Sequence, residues 1–169
     1  MDDLQRANDE AHTLIEAHYL EALEAVLDHR VDDARQAFSE FDAVVTAHLR
    51  EEQEHLMPRL SAFEDSVARA LGSGGFAGRR RLQRRLARTR HILARLNPDS
   101  PRLAEDILDA LEMMWLVRHA LHDHRTRERQ VLYPRLAARL PAEERSAAGE
   151  RLTALCQRNT AGAAAQATA

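Results

Sequence analysis

His48-Leu-Arg-Glu-Glu52-Gln-Glu-His55-Leu-Met-Pro58-Arg-Leu-Ser-Ala62 reappears as His124-Arg-Thr-Arg-Glu128-Arg-Gln-Val-Leu-Tyr-Pro134-Arg-Leu-Ala-Ala138, and this duplication decides how the chain is read. His, the Glu four places on, Leu, Pro, Arg, Leu and Ala coincide without a gap. Two unrelated helices would not be expected to share so many positions. Four residues turn a helix through about 400°, so His48 and Glu52 project the same way one turn apart, as do His124 and Glu128. Each pair sits on an apolar stripe: Phe38, Phe41 and Val45 lead to His48, Glu52 and His55, while Met114, Val117 and Leu121 lead to His124, Glu128 and Val131.

Outward from the repeat, helical periodicity with recognisable breaks runs almost throughout. A first helix is expected from about Asp3 to about His29, with Ile15, Tyr19, Leu23 and Val26 on one stripe. Asp32 or Asp33 can cap the second, which Pro58 then kinks. Gly72-Ser73-Gly74-Gly75 reads as a loop, and a third helix runs from there to about Leu96. After Asn97-Pro98-Asp99, Ser100 is the candidate cap of a fourth helix, with Pro101 at its first position, running to Leu140. A short fifth helix from Pro141 to near Gln157 completes the pattern, and the Ala-rich tail reads as disordered. The fold class expected is all-α: an up-down-up-down four-helix bundle over residues 1–158 with a short fifth C-terminal helix, then a disordered tail over 159–169.

Composition agrees. Ala, Leu, Arg and Glu dominate, Val, Ile and Thr are sparse, and 169 residues suit one domain. Cys156 stands alone, so no internal disulfide forms and a reducing compartment fits. Neither a signal segment nor about 20 consecutive apolar residues is present, so a soluble cytoplasmic protein is expected. The net charge of −3 gives no global attraction to nucleic acid, although eight arginines fall between Arg79 and Arg95 while the first helix is acidic.

A carboxylate on an inward stripe is expensive unless it is paired or binds a cation. Two imidazoles and two carboxylates facing one another form a mixed nitrogen and oxygen site suited to iron, manganese or zinc. Polar residues satisfied by Arg or water are the plainer reading of one such pair. Two matched copies, each ten residues ahead of a proline, favour the metal.

The chain resembles the hemerythrin-like cation-binding (HHE) family, whose pattern is a lone His, then His-x-x-x-Glu, then a lone His, then His-x-x-x-Glu. The resemblance covers roughly residues 10–155, including the Leu-x-Pro-x-Leu ending of each motif. It implies a pair of iron ions, oxo- or hydroxo-bridged, with zinc or manganese as substitutes. The implied ligands are His48, Glu52, His124 and Glu128, the two glutamates bridging. For the first helix it implies His12, which lies 18 residues before the turn near Arg30 as His48 lies 18 after it; His18 is the competitor, rotated off the stripe. The third helix offers His91 or nothing. His91 sits about 12 Å along a helix from the break before Pro101, whereas His124 sits about 35 Å beyond it, so a short loop does not bring them level. The family's usual third-helix position falls nearer Arg84 to Arg88. His55, seven residues from His48, is a possible extra ligand. His119 with Asp123 reads as structural, His122 and His29 as surface, and Tyr19, Met113, Met114 and Trp115 as core.

The family's members bind oxygen, sense oxygen or iron, or act on peroxide and nitric oxide. The expected function is therefore a non-haem di-iron protein handling or sensing O2, peroxide or nitric oxide, with catalase-like peroxide removal or nitrosative-stress protection as the specific readings. The alternative is a regulatory or interaction protein with a structural or degenerate metal site, its Arg-rich helix docking an acidic protein, or a homodimer. Neither a membrane nor a nucleic-acid partner is expected.

Overall fold

Residues that lose little on entering a helix make up most of this chain, and it is helical wherever its structure is described, apart from short turns. The computed structural model describes the backbone of residues 3–62 and 66–166 and the side chains of residues 3–62 and 77–158. Helix α1 (Asp3–Leu27) leads through a three-residue turn to α2 (Val31–Glu51). A π turn at Glu52–Leu56 joins α2 to α3 (Met57–Ser61). After α4 (Ser66–Arg95) comes α5 (Leu103–Arg127), which a second π turn, Glu128–Leu132, joins to α6 (Tyr133–Arg139). The last helix is α7 (Ala142–Gln166). No described helix is long and apolar enough to cross a membrane.

Helix α1 packs along α2 and α7, and α4 packs along α5 and α2, so α1, α2, α4 and α5 enclose the larger apolar core. Phe38, Phe41, Val45, Leu82, Leu86, Met114 and Val117 fill it, with the Tyr19 ring edge-on to Phe41 at 5.6 Å. A second core gathers Leu4 and Ala7 of α1, Leu56 and Leu60, Leu132 and Leu136, and Ala148 and Leu152 of α7. Between the two cores lies a polar layer.

The two π turns are the local signature of the repeat. Pro58 and Pro134 lack the N–H that an α-helix needs, and their rings crowd the carbonyls one turn back. The chain widens instead: Met57 N–H bonds to Glu52 C=O, and Tyr133 N–H to Glu128 C=O, five residues back in each case. Each widening adds a residue to the turn and rotates the helix beyond it. His55 and Val131, both expected on the inward stripe, are displaced; Leu56 and Leu132 take those places, buried in the second core.

Several boundaries differ from the sequence reading. Gly72–Gly75 lies within α4, because helix-forming sequence on both sides propagates across glycines that each cost only about 1 kcal/mol. Asp32 and Asp33 do not cap α2; they pair with Arg35 and Arg30 at 2.8 and 2.7 Å. Ser100 Oγ accepts from the Arg102 N–H at 3.1 Å, but α5 begins only at Leu103. His29 closes α1 with φ 59°, a left-handed position usually given to glycine. Helix α7 is 25 residues long rather than short, because Ala148 and Leu152 bury against α1; its backbone is helical to Gln166, and residues 167–169 lie outside the described residues.

Phe41 is fully buried where α1 and α2 meet. Truncation by Phe41→Ala is expected to cost about 3–5 kcal/mol in urea unfolding while leaving the helix content of the folded protein unchanged.

Candidate metal centre

The polar layer is built by residues that come up at the same height on four helices. His12 stands on α1 between Ala7 and Ile15, and His48 on α2 beside Leu49. Glu52 and Glu128 open the two π turns, His124 lies one turn before Glu128, and Arg79 enters from α4. All six side chains are buried. The hairpin count placing His12 level with His48 matches the geometry, their rings lying edge-on at 4.9 Å.

Three imidazoles converge on Glu128. His12 Nε2 hydrogen-bonds its Oε2, His48 Nε2 lies 3.3 Å from Oε1, and His124 Nε2 lies 2.7 Å from Oε1. His124 Nε2 is also 3.2 Å from Glu52 Oε2, which Arg79 Nη2 approaches at 3.4 Å. Arg79 Nη1 reaches the Gln53 amide oxygen at 3.3 Å. His48, Glu52, His124 and Glu128 each offer a donor atom within 4.8 Å of the others, which is the spacing a single cation spans.

These contacts set the protonation of the layer. Burial pulls the Glu128 carboxyl upward, but His124 and the hydrogen bonds from His12 and the other imidazoles outweigh it and hold the group well below the usual carboxylate range. Glu52 goes the other way: burial, then the charge of Glu128, push it up. His124 would be lowered by burial, yet Glu128 and Glu52 raise it to about 10, so the metal-free centre keeps a proton there. His12 is lowered by burial and stays a neutral imidazole. Burial and the two carboxylates push the Tyr133 phenol well above its ordinary value, so it stays protonated beside them.

The residues fit a metal ion. Glu52 Oε1 is buried with no hydrogen-bond donor among the described residues, beside a second carboxylate, and that is an arrangement a cation satisfies. The three imidazoles and two carboxylates are donors of the kind non-haem iron, manganese and zinc accept. A cavity of about 130 Å³ between α1 and α5 reaches His12, walled by Ile15, Tyr19 and Leu121, with Arg118 and Arg125 beside it. A smaller one, about 40 Å³, reaches Glu52, His124 and Glu128 and is lined by Arg79 and Arg127.

Two expected site residues lie elsewhere. His91 is exposed: the inward stripe of α4 runs Arg79, Leu82, Leu86, Thr89, Leu93 in steps of three and four, and residue 91 falls opposite it. His55 is largely exposed beside Glu51 at 3.7 Å, rotated out by the π turn. His18, the competitor of His12, is buried but pairs with Glu21 at 3.1 Å, near Glu40 and apart from the layer. Trp115, expected in the core, is exposed and meets the His119 ring edge-on at 4.0 Å. Sequence reasoning missed Arg79 and Tyr133. Extending the α4 leucine stripe back three residues from Leu82 would have found Arg79.

Comparison with known protein families, with characterised proteins and with solved structures finds no match to this chain.

The raised His124 proton makes the metal-free fold pH-dependent. Its contribution is complete below about pH 6.5, the ordinary histidine value, and is lost as pH rises toward about 10. Thermal melts of metal-stripped protein should fall across that range, and His124→Gln should flatten the fall.

Proposed function

We propose that this protein is a non-haem iron protein of the hemerythrin-like kind, an up-down-up-down bundle of α1, α2, α4 and α5, that handles or senses a small oxidant such as O2, peroxide or nitric oxide. One observation carries the reading. Two carboxylates and three imidazoles from three helices are buried in one layer, with donor atoms of His48, Glu52, His124 and Glu128 within 4.8 Å of one another and one carboxylate oxygen left without a donor among the described residues. A buried ionic layer is weak support for stability, since apolar residues of similar volume are often as stable or more so, and the layer therefore points to a binding role.

The roles come from the contacts. His12, His48 and His124 surround Glu128, and His124 also reaches Glu52, so it links the two carboxylates. Bound iron would supply reversible coordination and one-electron exchange toward a diatomic molecule or peroxide. The protein's part is to bind, shield and admit. Ile15, Tyr19 and Leu121 share the approach to His12 with Glu16, Arg118, His122 and Arg125, so it is a mixed apolar and charged passage of a size for small molecules. Its volume of about 130 Å³ rejects substrates of metabolite size. Glu16, 3.8 Å from both Arg118 and Arg125, balances the charge there. Tyr133, buried in the second core, retains its hydroxyl proton under the influence of the carboxylates and has no hydrogen-bond partner among the described residues.

The docking alternative has less to stand on. Of the arginines on α4, Arg79 is buried in the centre, Arg85 donates to the Leu116 carbonyl at 2.8 Å, and Arg90 pairs with Asp42 at 2.8 Å. Arg80, Arg81, Arg84, Arg88 and Arg95 form a solvated basic face, while Asp9 and Glu16 of α1 pair with Arg118, Arg125 and Arg129.

Protein produced in iron-replete medium should retain iron by elemental analysis and show near-ultraviolet ferric bands that change on adding azide, peroxide or nitric oxide. His48→Ala and Glu128→Ala should lose most of the iron and the bands, with folding checked by circular dichroism. Oxygen evolution from added peroxide would mark a catalase-like enzyme, and spectral change without turnover a sensor. A folded protein without metal would contradict the proposal.

A further inference from the structure

We infer that the centre takes one metal ion per chain, and that the guanidinium of Arg79 stands where a second ion would sit. This rests on the metal reading above and departs from the pair of irons that the resemblance implies.

Donors are the first constraint. The pattern the chain resembles draws a lone histidine from the third helix, but α4 carries neither Asp nor Glu from Ser66 to Arg95, and its one histidine, His91, is exposed. What α4 places in the layer is Arg79, buried, with Nη2 3.4 Å from Glu52 Oε2. Glu52 is the carboxylate farther from His12 and His48, so a second ion would have to share this side of it with a fixed cation.

Charge is the second constraint. With the imidazoles neutral, Glu52 and Glu128 contribute −2 and Arg79 contributes +1. One divalent ion brings the buried sum to +1 and two bring it to +3. Uncompensated charge away from water is costly enough that the second step is strongly opposed. A second guanidinium adds to this. Arg127 lines the small cavity with Arg79, and it lies against Gly78 so closely that a Cβ there would stand 2.5 Å from its Nη2.

One ion is also enough for the donors present. His12 and His48 meet Glu128 on one side, and two histidines with one carboxylate already form a set that holds a single non-haem iron with open positions. Glu52 and His124 complete it. The arginine therefore does a second ion's electrostatic work: it neutralises Glu52 and fixes its orientation.

The test is metal stoichiometry. Metal-stripped protein would be loaded anaerobically with Fe(II), and separately with Zn(II), freed of excess and analysed for metal per chain. The wild type should hold a single ion of either metal. Arg79→His, which removes the guanidinium and supplies a donor, should double the uptake, and Arg79→Lys, which keeps the charge, should stay with one. Electron paramagnetic resonance of the ferric wild type should show a high-spin signal accounting for all the iron, a readout that does not depend on any variant folding. Two ions in the wild type, or a spin-silent coupled pair, would overturn the inference and leave the metal reading standing. A folded Arg79→His protein still holding one ion would overturn the role given to Arg79. No ion at all would overturn both readings.

Discussion

Two carboxylates, Glu52 and Glu128, lie side by side in the middle of the helices with almost no exposure to water, and nearly everything notable about the structure answers to that fact. Each buried ion carries a penalty of several kcal/mol, and like charges together increase it. The chain compensates with three imidazoles around Glu128 and a guanidinium beside Glu52. Apolar clusters close the layer on both sides, so that it forms a polar floor between two cores. Truncating one partner of a buried pair commonly costs about 3–5 kcal/mol, so this layer bears on folding as well as on chemistry.

The π turns tie backbone to site. Each starts at a glutamate of the repeat and ends two residues before its proline, so the same sequence unit both supplies the carboxylate and widens the helix under it. Insertions of this kind frequently mark functional positions. Here they let apolar residues resume the inward face immediately beyond the carboxylate, which seals the layer from the far end of the molecule.

Part of this is legible in the sequence, for physical reasons that differ from residue to residue. His48, Glu52, His124 and Glu128 stand out because a repeated polar pair on an apolar stripe has few explanations. His12 stands out because counting from a short turn works when two helices run straight alongside each other. His55 is misplaced by a count that assumes 3.6 residues per turn, a number the proline changes locally. His91 misleads when histidine is sought as a residue type, because the helical stripe selects Arg79 instead. Arginine's length lets it bring charge to a site from a position a shorter ligand would not serve. The helix that runs through Gly72–Gly75 shows that glycine composition is a weak signal within a long helix.

A buried layer with an unsatisfied carboxylate oxygen could hold a cation, and such binding would appear as folding stability. The most direct measurement is the thermal melt of metal-stripped protein with and without Fe(II) or Zn(II). At about a hundredfold excess over the dissociation constant, binding adds about 2.7 kcal/mol, a rise of roughly 5–10 °C for a chain of this size. The account predicts that rise in the wild type and its absence when Glu52 and Glu128 are both replaced by Gln. A melt that metal leaves unmoved, or moves equally in that double variant, would contradict it.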